Sequence, residues 1–120
     1  MKEQIISFKT AELAREKGFF GWCNTGYGLK KKTIALIGSP NCEFIKKGRG
    51  ILAPTQALLQ KWLRRKKIDV FVAPVIPECK EYGVTIYSLW YNEEENIGFY
   101  KSYEEALEKG LYGALKLIED

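Results

Sequence analysis

The stretch Val84-Thr85-Ile86-Tyr87-Ser88-Leu89-Trp90-Tyr91 decides the reading of this chain. In an extended backbone Val84, Ile86, Ser88 and Trp90 fall on one face and Thr85, Tyr87, Leu89 and Tyr91 on the other. β-Branched and aromatic residues supply both faces, so the run predicts a strand with apolar character on each side. A polar turn, Asn92-Glu93-Glu94-Glu95-Asn96, leads into a further strand from Ile97 to Lys101. Upstream, Ile68 to Ala73 reads as a strand stopped by Pro74, and Pro74-Val75-Ile76-Pro77 is too rich in proline for a central strand. Glu78 to Gly83 completes that loop.

Helices flank the three strands. Pro54 suits a first helical turn, and Leu58, Leu59, Trp62 and Leu63 recur along one stripe, which makes Trp62 a core residue. Lys61, Arg64, Arg65, Lys66 and Lys67 crowd the end of this helix, where cations offset the carbonyl end of its dipole. The last helix opens on a capping box, Ser102-Tyr103-Glu104-Glu105, and carries the stripe Tyr103, Leu107, Leu111, Ala114, Ile118. Gly110 and Gly113 each cost about 1 kcal/mol relative to Ala inside a helix, so they predict close approach to another element.

The N-terminal part is less regular. Ser7 reads as an N-cap and Gly18 as the stop of a short helix, with Ile6 and Ala11 as the apolar staple across its start. Gly18 to Lys32 is rich in glycine and aromatic residues without clear periodicity, a loop or an irregular strand pair. Thr33 to Ile37 predicts a short strand ended by Gly38-Ser39-Pro40, and residues 38–53 a second Gly-rich, basic connection. The expected fold class is α+β: a three- to four-stranded antiparallel sheet with helices packed on one face. Residues 1–120 form a single domain in this reading, with the N-terminal helix, loops and short strand over 1–53 and a helix-strand-strand-strand-helix core over 54–120.

Composition narrows the function classes. The 120 residues include no His, which removes the commonest general acid/base and the commonest neutral metal ligand. Cys23, Cys42 and Cys79 form no Cys-x-x-Cys pair and have no histidine to activate them, so they read as structural thiols. With no apolar run to act as a signal peptide or membrane span, the expected setting is a reduced cytoplasm, with no membrane, metal or cofactor. The first 83 residues carry a net charge of +9 and the last 37 a net charge of −5. Such asymmetry suits a basic surface that meets phosphate and an acidic end that repels it or meets a basic patch on a second copy.

Capture of a nucleotide-like anion needs cations or backbone N–H groups for phosphates and flat rings for bases. The 18–53 region supplies both: Phe20, Trp22 and Tyr27 offer rings, Lys30, Lys31, Lys32, Lys46, Lys47 and Arg49 offer charge, and the glycines permit close approach. Arg64 and Arg65 form a second basic cluster, while Trp90 and Tyr91 suit a stacking site or a subunit interface. The same rings also suit core packing, and the same lysines a solvated loop. Neither Gly26-Tyr27-Gly28 nor Gly48-Arg49-Gly50 satisfies a dinucleotide-fold or phosphate-loop motif.

Two resemblances add context. The order of elements from Pro54 to Ile118 resembles that of double-stranded RNA-binding domains, which contact RNA through the first helix, the loop after the first strand and lysines opening the last helix. Here Tyr103-Glu104-Glu105 stands where those lysines would be, which opposes phosphate. A whole-length likeness is carried by Ser7-Phe8-Lys9-Thr10-Ala11 and Glu16-Lys17-Gly18-Phe19, by Ala53-Pro54-Thr55-Gln56 with Leu58-Leu59-Gln60-Lys61-Trp62-Leu63-Arg64, and by Tyr103-Glu104-Glu105-Ala106-Leu107-Glu108 with Gly110-Leu111. In these blocks the chain resembles small accessory proteins of bacteriophages and mobile elements of gut anaerobes. That resemblance implies an anti-defence role, including oligomeric sponges that sequester nucleotide-derived immune signals. The expectation is therefore a non-enzymatic, self-associating binding protein, with an RNA-binding accessory domain or a blocker of a host protein as the alternatives.

Overall fold

Ser7 caps helix α1 (Phe8–Glu16) by accepting the Thr10 N–H on its Oγ at 3.3 Å, and Gly18 ends the turn beyond it at φ +87°. Ile6 and Ala11, the predicted staple, are both buried. The computed structural model describes residues 4–21, 23–74, 81–88 and 93–118, so Trp22, Cys79, Trp90 and Tyr91 lie outside the described residues. The chain is α+β, and it divides into two compact units, Met1–Leu58 and Leu59–Asp120.

In the first unit, β1 (Thr25–Gly28) is the middle strand of an antiparallel sheet in the order β2-β1-β3, with β2 (Ile34–Leu36) and β3 (Gly50–Leu52) at its edges. Gly26 lies opposite both Ala35 and Leu52, and Tyr27 opposite both Ile34 and Ile51. All of β3 is buried and all of β2 is exposed. The run Thr33 to Ile37 forms a strand as expected, and residues 18–32, read as a loop or an irregular strand pair, hold one strand, β1. The connection 38–53 departs from its reading, because it contains both β3 and the short helix α2 (Glu43–Lys46). Strands that include Gly26, Gly28 and Gly50 lack the side chains that create a two-residue pattern; their ladder partners, supplied from distant parts of the chain, decide the conformation.

In the second unit, β4 (Ile68–Pro74), β5 (Tyr82–Ser88) and β6 (Glu93–Tyr100) form an antiparallel sheet in the order β4-β5-β6. Ile68, Val70, Val84, Ile86 and Ser88 are buried on one face, and helix α4 (Tyr103–Lys116) packs on it. Ser102 acts as the N-cap predicted, its Oγ accepting the Glu105 N–H at 3.1 Å. Gly110 explains itself: a Cβ there would stand 2.5 Å from Val84 Cγ2 and 2.6 Å from Val70 Cγ1, so the helix reaches the sheet only with glycine at this point. Gly113 is half-exposed.

One boundary moves. Glu93, Glu94 and Glu95, read as a turn, belong to β6 opposite Ser88, Tyr87 and Ile86, with a bulge between Val84 and Thr85 where Gly98 takes φ +143°. Pairing to β5 overrides the weak strand preference of glutamate.

Helix α3 (Gln56–Arg65) starts two residues later than Pro54 suggests, because Thr55 Oγ1 accepts the Leu58 N–H at 3.2 Å and takes the capping role. Leu59 and Leu63 are completely buried, Trp62 is half-buried beneath Lys66 at 5.3 Å, and Gln60 Nε2 donates to Val70 O at 2.8 Å. Beyond α3, Lys67 adopts φ +66°, a left-handed conformation that costs a side-chain-bearing residue about 1–2 kcal/mol. Lys67→Gly is expected to raise stability by about 0.5–1 kcal/mol once glycine's larger unfolded-state entropy is subtracted. A thermal melt checks it, and a lowered Tm would contradict the assignment.

Candidate functional site

Two connections remote in sequence converge on one groove in the first unit. The first is the β1–β2 turn, a four-residue loop 29–32 closed by Gly28 N–H to Thr33 O at 3.0 Å and Lys32 N–H to Gly28 O at 2.8 Å. Lys32 ends it at φ +55°. The second is the exit from α2, where Gly48 at φ +72° donates to Ile45 O and Arg49 donates to Phe44 O, both at 3.1 Å. This is a Schellman stop, which satisfies the last carbonyls of α2 and turns the chain into β3. Pairing of Gly28 with Gly50, extended by Leu29 N–H to Arg49 O at 3.0 Å, brings Lys30, Lys31 and Arg49 to the same groove.

The groove has a volume of about 690 Å³ and is lined by the turn residues from Gly28 to Lys31, by Thr33, Ala35 and Phe44, and by Gly48 and Arg49. That volume falls within the roughly 300–1,000 Å³ of small-molecule sites. Lys30, Lys31 and Arg49 are exposed, and none pairs with a carboxylate among the described residues. Lys47 differs, because its ammonium meets Glu43 at 3.0 Å. Lys46 is exposed at the end of α2, and Lys32 reaches over the Phe8 ring at 5.3 Å; neither lines the groove.

The predicted rings do not provide its aromatic surface. Tyr27 is 9% exposed, donates its hydroxyl to Ile6 O at 2.7 Å and meets Phe8 edge-on at 5.5 Å, so it is a core residue committed to holding the strand. Phe20 lines a separate depression of about 190 Å³ with Phe19, Ala11, Arg15, Ile45 and the β3 residues. Trp22 lies outside the described residues, as do Trp90 and Tyr91. Arg64 and Arg65 are exposed at the end of α3 and belong to the second unit.

Phe44 supplies the ring instead, and sequence reasoning missed it along with α2. Its ring lies where a Cβ on Gly50 would fall, and within 3.6 Å of one on Gly28, so two glycines let it rest on the sheet. The signal was present: Lys46-Lys47-Gly48 has the cations and glycine of a helix end four residues after Cys42, too short a helix for its periodicity to be visible. Gly50→Ala is expected to displace this ring and destabilise by about 1–3 kcal/mol. The same substitution beside Phe44→Ala has room and costs less than 1 kcal/mol, so a double-mutant cycle in urea reads the contact directly. Equal costs in both backgrounds would contradict the packing.

Cys23 is buried with its Sγ 3.7 Å from Thr25 O, and burial pushes its thiol pKa up, away from a reactive thiolate. Cys42 is half-buried. Among the described residues no group of three or more acidic or thiol side chains is placed to hold a metal, and no helix is long and apolar enough to cross a membrane. No protein-family model, curated protein or solved structure matches this chain.

Proposed function

We propose that the first unit captures a phosphate-bearing, nucleotide-like small molecule in the groove between the β1–β2 turn and Arg49, and holds it without transforming it. The convergence of Lys30, Lys31 and Arg49 around Phe44, from connections nearly twenty residues apart, is the observation that carries this reading. Phosphate oxygens suit the three cations and the backbone left open by Gly28 and Gly48, while a base suits the ring of Phe44. Capture needs shape, charge and an aromatic surface, and no convergent nucleophile or acid–base pair. In the setting implied by the resemblance to phage accessory proteins, the role served is sequestration of a nucleotide-derived immune signal in the host cytoplasm.

The order α3-β4-β5-β6-α4 favours one other reading, binding of double-stranded RNA by the second unit. Exposed Glu104 and Glu105 at the start of α4 oppose it. A low-salt thermal-shift series separates the two, using cyclic dinucleotides, cyclic ADP-ribose-type nucleotides and an RNA duplex of about 16 base pairs. Groove capture predicts a shift with a nucleotide that grows with concentration as linkage requires. A shift with RNA alone would replace this reading with the second, and no shift with any probe would reject both in favour of a host-protein target.

A further inference from the structure

The edges of the two sheets are treated differently. β4 carries Asp69 and ends on Pro74, β6 carries Glu93, Glu94 and Glu95, and β3 is buried throughout. Charge, proline and burial are the devices that stop an edge from pairing with another chain. β2 has none of them. Thr33 to Cys42 is free of charge, and Ile34 and Leu36 are 47% and 82% exposed.

The backbone of β2 is also half-used. Thr33 O accepts from Gly28 at 3.0 Å and Ile37 N–H donates to Asn24 O at 2.9 Å, so Thr33, Ala35 and Ile37 face β1. Residues of an antiparallel ladder alternate between their two neighbours, and Ile34 and Leu36 therefore aim their N–H and C=O groups away from the sheet.

We propose that β2 is the seam of a two-fold dimer in which it pairs antiparallel with the β2 of a second copy, Ile34 opposite the partner's Leu36. This register is self-complementary. Each Ile34–Leu36 pair exchanges two hydrogen bonds, and Ala35 meets the partner's Ala35 as a close pair without hydrogen bonds, Cα atoms about 4.5 Å apart. The exposed isoleucine and leucine lie side by side across the seam. Charge agrees with it: the residues that face one another across the seam, Thr33 to Ile37, carry no charge, so no like charges oppose. The two-fold axis runs through the sheet, which leaves the same face of both copies on the same side. Ala35, which lines the groove, then stands beside its counterpart, Thr33 lies opposite the partner's Ile37, and two grooves open onto one six-stranded sheet. The seam itself stands independently of what the grooves bind.

Three paired residues per copy make a small interface, so dissociation is expected in the micromolar to millimolar range. Sedimentation equilibrium from about 10 µM to 1 mM tests it. The wild-type mass should rise from 13.8 kDa towards twice that value. Leu36→Pro removes an N–H that the monomer leaves to water, so this variant should keep its circular dichroism and stay monomeric. A wild-type chain that remains monomeric at the highest concentration, or a Leu36→Pro chain that still dimerises, overturns the proposal. In a Cys42→Ser/Cys79→Ser background, Ala35→Cys should crosslink on mild oxidation and Ile34→Cys should not. The reverse pattern would reject the register.

Discussion

Leu59→Ala is expected to destabilise the chain by about 2–5 kcal/mol, the range for removing a fully buried leucine side chain. Leu59 is 0% exposed, as is Leu63 one turn further along α3, and between them they are the centre of that helix's apolar stripe. Truncation removes three side-chain carbons, a methine and its two methyls, from a close-packed environment that collapses only partly around the gap. Position along the helix ranks the neighbours. Leu58 is half-exposed and its replacement by Ala should cost less, while Lys61 is exposed and Lys61→Ala should fall within about 0.5 kcal/mol of wild type. Urea denaturation of the three variants checks the order, and a near-neutral Leu59→Ala would contradict the packing of α3.

Removing Lys30, Lys31 and Arg49 together by substitution with Ala is expected to weaken nucleotide binding by at least about 100-fold with little change in stability. Hydrogen bonds to a charged group contribute about 1.5–3 kcal/mol each, so even two lost contacts reach that factor. All three side chains are exposed and none has a carboxylate partner among the described residues, which is why the fold should not notice their loss. Lys46→Ala/Lys47→Ala is the matched control. It removes similar charge from the same unit, yet Lys47 is held by Glu43 at 3.0 Å and neither residue lines the groove. Titration calorimetry at two salt concentrations should show loss of affinity in the triple variant alone. An equal loss in the control would assign the effect to general charge rather than to the groove.

The C-terminal half was legible because its signals are local. Alternation over Val84 to Ser88, the Ser102 N-cap and the glycine at 110 each state a rule that the fold then obeys. In the N-terminal sheet only β2 was legible, from the β-branched run Thr33 to Ile37; β1 and β3 were not, since they are four and three residues long and contain Gly26, Gly28 and Gly50, whose role is to admit other atoms. The site followed the same division. Lys30, Lys31 and Arg49 announce themselves by charge, but only the pairing of Gly28 with Gly50 shows that they share a groove. Tyr27 and Phe44 exchange roles for the same reason: aromatic content is visible in sequence, and which ring faces inward depends on a register that no local pattern records.

A ¹⁵N–¹H chemical-shift titration of the wild-type chain with a cyclic dinucleotide and with cyclic ADP-ribose tests groove capture most directly. The account predicts saturable shifts for one of these probes at residues 28–33 and 44–50, absent from the Lys30/Lys31/Arg49 triple-alanine chain. Shifts confined to α3 and the second unit, or no saturable shift with either nucleotide, would contradict it.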